Sequence, residues 1–452
     1  IFFVLMVSVI IHIFRMNRLL NKPNKIEMEF TMRNFNPVPT KENLTKVPKE
    51  TVMINTIVRR KVVLLGPHDR YNFGDILFSK VTAKLLKTRA NYSPRDILQG
   101  GIVSVNMTEY GGWPNVLSMK KVQEMSRNDT RQGPYDIVYT GGEALQCNHN
   151  CAVHMMPNEQ MKQLALKEKI NDCAYLFPKE ELLPISVEGG KKMQNVAIIN
   201  SLGGLKVKGS CKKAVDTADF AVYRDHDPLC PDSAVMTKEL FQEDIREAAR
   251  YVLKDLFKMN VKGKYLHRRA NKNYIAVQCK KSILRSTDQK SFANMLDDVS
   301  RKTNATIVFF AAGTAPDHDS FSAYDEVARH MKEPSIVYKV ENTWKVVALI
   351  SIADAILSTS LHVRIMALIY FKPRITWCDQ RSKHSRFISL WDSKDASGCI
   401  NIKRYEDTWP VLSKYYGSNP SKTQKLTEII YKELVQQYLK KFDLWSSLLS
   451  KR

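Results

Sequence analysis

The chain has 452 residues, 44% of them hydrophobic and 25% charged, which is the balance of a globular protein and predicts two or three domains at about 150 residues each. With only 18 glycines and 18 prolines it is neither collagenous nor low in complexity, and its apolar content excludes general disorder. Lysine and arginine exceed aspartate and glutamate by 69 − 46 = 23 charges, which favours an anionic partner. The basic residues are spread along the whole chain, with no zinc-finger, RNP or basic-zipper pattern, so no nucleic-acid partner is expected.

Residues 1–14, IFFVLMVSVIIHIF, are apolar apart from Ser8 and His12. Fourteen residues fall short of the ~20 that span a bilayer, and they are read as the end of a partial membrane anchor that begins upstream. Residues 15–57, with Pro23, Pro37, Pro39 and Pro48, read as a stem. Arg15, Arg18, Lys22 and Lys25 would hold their flank in the cytosol, whereas Asn-x-Ser/Thr sites at Asn43, Asn91, Asn106, Asn128 and Asn304 permit a lumen. The expectation is a membrane-anchored protein of type II, in the Golgi or another secretory-pathway lumen.

From residue 58 to 240 apolar runs end in polar or glycine-bearing turns. Lys61–Gly66 is a predicted strand, and Gly74–Arg89 a helix with Ile76, Leu77, Val81, Leu85 and Leu86 at helical spacing. Tyr135–Tyr139, Val196–Asn200 and Phe220–Tyr223 are further strands. Fully apolar strands of this kind belong to a parallel sheet buried on both faces. Between them Cys147 and Cys151 form the one close cysteine pair. With His154 they offer zinc-compatible ligands, but no second pair of clear spacing follows, so a disulfide or two unpaired thiols is expected and no metal.

Residues 241–272 read as a connecting helix and a basic linker. The alternation restarts over 273–410: strands at Tyr274–Gln278, Thr306–Phe310, Ile336–Tyr338, Ala355–Leu357 and Arg374–Trp377, with helices at Phe292–Arg301, Thr343–Ile352 and His362–Tyr370. The segment 411–452 is helical, with Leu426, Ile429, Ile430 and Leu434 on one predicted face over Ser421–Leu439. The fold class is therefore α/β, with two Rossmann-like parallel-sheet domains facing a cleft. Ligands are expected beyond the carboxyl ends of the strands, between the two halves.

Four strand-end segments could carry chemistry. Asn72-Phe73-Gly74-Asp75 opens a helix, where backbone amides are free for an anion. Thr140-Gly141-Gly142-Glu143 lets a ligand approach the backbone closely. Val222-Tyr223-Arg224-Asp225 ends a buried strand in an arginine that could grip a carboxylate or phosphate, or pair with Asp225. Ser358-Thr359-Ser360-Leu361-His362-Val363-Arg364 places a histidine at a helix N-terminus, where it stays neutral enough to act as acid or base. Asp225-His226-Asp227 and Asp317-His318-Asp319 are DxD patterns of the kind that hold a divalent metal in sugar-nucleotide transferases, but neither is assigned one.

In their order these segments resemble the polysaccharide pyruvyl transferase family over about residues 60–390. The family shows N-x-G-D, a strand ending in a glycine-rich turn, V-x-R-D followed by P-D, and a late A-D-x-x-x-(S/T)-x-R-x-H. Here these read Asn72–Asp75, Tyr135–Gly142, Val222–Asp225 with Pro231-Asp232, and Ala353-Asp354 through His362, followed by Ala367, Pro373, the strand into Trp377, and Lys383. The resemblance implies a glycosyltransferase-B-like pair of domains. It also implies transfer of a pyruvyl group from phosphoenolpyruvate to two hydroxyls of a glycan sugar as a ketal, with no cofactor. It assigns Arg224 to the donor, His362 to acid–base or phosphate contact, and Asp75 and Glu143 to the acceptor hydroxyls. Asn72, Gly74, Gly141, Gly142, Ser360, Leu361 and Lys383 complete the expected binding surface. Where the family motif has arginine two residues before the histidine, this chain has Ser360. Arg364, at i+4, is expected to compensate. A nucleotide-sugar-dependent glycosyltransferase and a non-catalytic glycan-binding relative are the alternatives.

Overall fold

The apolar runs of the sequence are the middles of two sheets. The computed structural model describes residues 59–450 apart from 130–133, 180–185, 189–190, 194, 205–206, 208, 263–272, 380–381, 394–396 and 417–419. The expected anchor and stem, and most of the basic linker, lie outside the described residues. No helix among the described residues is long and apolar enough to cross a membrane.

The N-terminal sheet takes β1 (Val62–Leu65), β2 (Ile97–Gly101), β3 (Val116–Ser118) and β4 (Asp136–Thr140), then, after a small hairpin of β5 (Ser186–Glu188) and β6 (Lys191–Met193), β7 (Ala197–Leu202) and β8 (Phe220–Tyr223). Its spatial order is β3-β2-β1-β4-β7-β8, and every pair is parallel. The C-terminal sheet takes β9 (Tyr274–Gln278), β10 (Thr306–Phe309), β11 (Ser335–Val337), β12 (Ala355–Ser358), β13 (Arg374–Trp377) and β14 (Gly398–Ile400). Its order is β11-β10-β9-β12-β13-β14, again all parallel. Counted within each half, both orders are 3-2-1-4-5-6, the Rossmann arrangement, so the α/β, glycosyltransferase-B-like expectation holds.

Alternate residues of β1 enter different cores, as a period of two requires: Val62 and Leu64 one cluster, Val63 and Leu65 another. The first of these clusters runs on through Ala276, Val308 and Ile356 of the second sheet, so one apolar core is shared by both halves. The closing helix is longer than its predicted stretch, Pro420–Ser450. Its buried face is Tyr431, Leu434, Tyr438, Phe442, Trp445 and Leu449, at three- and four-residue steps, while Ile429 of the expected face is exposed. The helix returns to the N-terminal half, where Asp443 pairs with Arg89 and Tyr438 accepts from Asn200 Nδ2 at 3.0 Å.

Four cysteines are paired, Cys173 with Cys211 and Cys378 with Cys399. Cys147 and Cys151 are not joined in a disulfide, and a side-chain hydrogen bond links them instead.

Candidate active site at the two switch points

In each sheet the strand order reverses between the first and fourth strands, and the loops leaving those strands open a crevice there. The loops after β1, β4, β9 and β12 all line one cavity of about 680 Å3 between the halves. That is ample room for a small anion and a sugar.

Asn72 caps the helix Phe73–Thr88, its Oδ1 accepting from Gly74 N at 3.1 Å. The same turn is bound across the cleft: Phe73 N donates to Ala312 O at 3.0 Å, and Asn72 forms a bridge with Gly313. After β4, Gly141 (φ 101°) and Gly142 (φ 61°) adopt the left-handed region that favours glycine. A Cβ on Gly142 would lie 3.0 Å from Asp75 Oδ1, so the bare backbone leaves the carboxylate its place. Glu143 follows and meets Lys383 Nζ at 3.3 Å. Burial acts to raise the Glu143 carboxyl, but Lys383 and Arg224 outweigh it and hold it below its ordinary value. Burial does raise Asp75, against the pull of Arg70, His362 and Lys383.

The C-terminal wall is the start of the helix Leu361–Ile369. Its first hydrogen bond runs from Arg364 N to Ser360 O, so the amides before it stand outside the helical ladder, beside the cavity. The Leu361 side chain is buried in the core and contributes its backbone to the wall. The His362 ring packs edge-on against Phe78, and its Nε2 stands 3.7 Å from Asp232 Oδ2. Asp232 is fully buried and accepts from Ala234 N and from Arg224 Nη1 at 3.1 Å. Lys280 and Lys383 bring cationic side chains to the same cavity.

Two expectations are corrected. Arg224 does not present a free fork to a donor: Nε and Nη2 reach the two oxygens of Asp225 at 3.3 and 3.2 Å, and Nη1 reaches Asp232. Its charge is shared by two buried carboxylates, and it holds Asp232 beside His362. Arg364 does not compensate for Ser360. It is fully buried outside the cavity, on Asp392 at 2.8 Å, Thr376 Oγ1 at 2.8 Å and Gly398 O at 3.0 Å. Ser360 precedes the helix with extended φ and ψ, so the four-residue rule for helical neighbours does not link it to Arg364.

Two lining residues carried little or no signal in the sequence. Arg70 sits two positions before the recognised Asn72 turn. Asp319, noticed only as half of a DxD pattern, is buried and accepts from Gln278 Nε2 at 2.7 Å and Ala312 N at 2.6 Å. Burial pushes its carboxyl up to about 7. Gln278 Oε1 in turn accepts from Thr359 N, so Asp319 braces three strand ends. Of the other DxD carboxylates, Asp225 is committed to Arg224 and Asp317 Oδ2 lies 2.9 Å from His154 Nε2. Among the described residues no group of three or more His, Cys, Asp or Glu is arranged to hold a metal ion.

Fold and cavity define a two-sheet Rossmann protein of glycosyltransferase-B-like build, with acid–base and cationic groups at its paired switch points. No protein-family model and no curated protein matches the chain. Among solved structures it is similar to the UDP-GlcNAc 2-epimerase from Neisseria meningitidis, at 9% identity and TM-score 0.48, over 84% of this chain and 100% of that one. It is also similar to a family 9 glycosyl transferase from Veillonella parvula, at 12% identity and TM-score 0.37, over 83% and 98%. A third is the E. coli ADP-heptose LPS heptosyltransferase II, at 9% identity and TM-score 0.39, over 78% and 99%.

Proposed function

We propose that this chain transfers a pyruvyl group from phosphoenolpyruvate to two hydroxyls of a glycan sugar, forming a cyclic ketal. The observation that carries the reading is the meeting of the Asp232–His362 pair with Lys280, Lys383 and a helix N-terminus in one cavity. A small polyanion that must also exchange protons needs that combination.

The balance of the reaction assigns the work. The methylene carbon of the donor gains one proton and becomes methyl. Each acceptor hydroxyl loses its proton as its oxygen bonds to the central carbon. One of those protons offsets the gain at carbon, and the other leaves with the phosphate as the carbon–oxygen bond to it breaks. His362, whose Nε2 stands 3.7 Å from Asp232 Oδ2, carries a proton between these groups. Lys280, Lys383 and the first amides of the helix Leu361–Ile369 take the growing charge on the phosphate. Asp75 and Glu143, on the opposite wall, orient the hydroxyls.

The disulfides Cys173–Cys211 and Cys378–Cys399 support an oxidising lumen, and the four described Asn-x-Ser/Thr sites are all exposed and open to glycosylation. Membrane attachment through the N-terminal segment belongs to the same reading.

The test is thermal unfolding with phosphoenolpyruvate, followed by phosphate release in the presence of candidate glycans. Ligand at about 100 times its dissociation constant adds about 2.7 kcal/mol and raises Tm measurably. Stabilisation by a sugar nucleotide, with none by phosphoenolpyruvate, would replace pyruvyl transfer with glycosyl transfer.

A further inference from the structure

Arg70 is a cation of the cavity that the scheme above leaves unused. It is 7% exposed, yet it lines the cavity from the N-terminal wall. Its Nη1 donates to the Tyr175 hydroxyl and stands 3.6 Å from Asp69 Oδ1, and the guanidinium lies 5.5 Å from the centre of the Tyr175 ring. Asp69 is itself fixed, its Oδ2 accepting from Ile102 N at 2.6 Å and Val103 N at 3.2 Å. All of these polar contacts fall on the Nη1 corner. A guanidinium has five N–H donors, and the remaining edge is a planar fork matched to a carboxylate. Arg70 lines the same cavity as Asp75, His362 and Lys383.

We propose that Arg70 binds the carboxylate of the donor and supplies, from the opposite wall, the cation missing at Ser360. This rests on the pyruvyl-transfer reading. The donor then lies across the cleft, its phosphate on Lys280, Lys383 and the helix start, its carboxylate on Arg70. Burial makes the arrangement selective: Tyr175 and Asp69 hold the guanidinium in one orientation, so little freedom is lost on binding.

The experiment measures dissociation constants of the full chain for phosphoenolpyruvate and for inorganic phosphate, in wild type, Arg70→Gln and Arg70→Lys. Loss of a charged two-point contact is expected to weaken phosphoenolpyruvate about tenfold or more in Arg70→Gln, with phosphate nearly unchanged and partial recovery in Arg70→Lys. Retained phosphate binding shows that the variant site is folded. If Arg70→Gln does not fold, Tyr175→Phe keeps the charge but frees its orientation, and the same selective weakening is expected. Unchanged phosphoenolpyruvate affinity in the folded variant overturns the assignment alone. A wild-type chain that binds phosphate but not phosphoenolpyruvate overturns the pyruvyl reading, and this assignment with it.

Discussion

A Cβ on Gly74 would stand 2.1 Å from Nδ1 of His362. The missing side chain of the glycine in the Asn72–Asp75 turn therefore leaves the space that the histidine of the facing half fills. Two sequence motifs separated by almost 290 residues are a single steric unit.

Gly74→Ala is expected to displace the His362 ring and leave the fold standing. The clash takes in Cγ of His362 at 2.3 Å as well as Nδ1, so the whole ring must move, while alanine is favoured over glycine within a helix by about 1 kcal/mol. A shift of about 1 Å in a reacting group lowers turnover by roughly a hundredfold. Phosphate release and Tm measured together check this: full turnover in the variant would show that His362 works from elsewhere.

Asp232 and Arg224 are expected to matter for stability as well as for turnover. Removing one partner from a buried ion pair leaves the other charge uncompensated, at about 3–5 kcal/mol. Denaturant unfolding of Arg224→Ala should show that loss, because it strands Asp225 and Asp232 together. An unchanged midpoint would return Arg224 to the role of an accessible donor clamp.

Arg364 is expected to leave the donor alone. With Arg374 it holds Asp392, whose carboxyl is pushed down to about 2, against an ordinary 3.8, by the two guanidinium charges that outweigh its burial. The folded state holds its proton less tightly than the unfolded chain does. The stabilisation is therefore complete above pH 4 and is lost as pH falls from about 4 to 2, on the order of 2 kcal/mol. Asp392→Asn should remove that part of the acid transition. Arg364→Met should lower Tm while the phosphoenolpyruvate dissociation constant stays at its wild-type value.

Asp319 should give the opposite slope. Its carboxyl titrates at about 7 when folded and near 3.8 when not, so between those values the folded state carries a proton that the unfolded chain has released. Stability from this group falls as pH rises from 4 to 7, by on the order of 4 kcal/mol, and is level above that. The difference between wild type and Asp319→Asn, followed by denaturant unfolding across that range, isolates the slope. Parallel curves would mean that Asp319 is ionised throughout.

What the sequence made legible were elements whose chemistry is repeated along the chain. Runs such as Val62–Leu65 and Tyr274–Gln278 are continuous and apolar, and they are the central strands. Val116–Ser118 and Gly398–Ile400 escaped because they are three residues long, and Ile97–Gly101, though five residues long, because it ends in Gln99-Gly100-Gly101 and offers no apolar run. The Asn72, Gly142 and His362 turns were found because glycine and strand-end position mark them. Arg70 and Arg364 differ only in where their side chains go, one toward the cavity and one into the core, and no local pattern encodes that. Their destinations are set by Tyr175, Asp69 and Asp392, distant in sequence or unremarkable beside them.

The closing helix also governs the order in which the molecule can be completed. Asn200 meets Tyr438, 238 residues later, and Arg89 meets Asp443, 354 residues later. At about 5–20 residues per second, roughly 12–50 s of synthesis separate Asn200 from its partner. The half made first is thus the half finished last, its apolar surface awaiting Tyr438, Phe442 and Trp445, and a chain interrupted before residue 431 would release it uncovered.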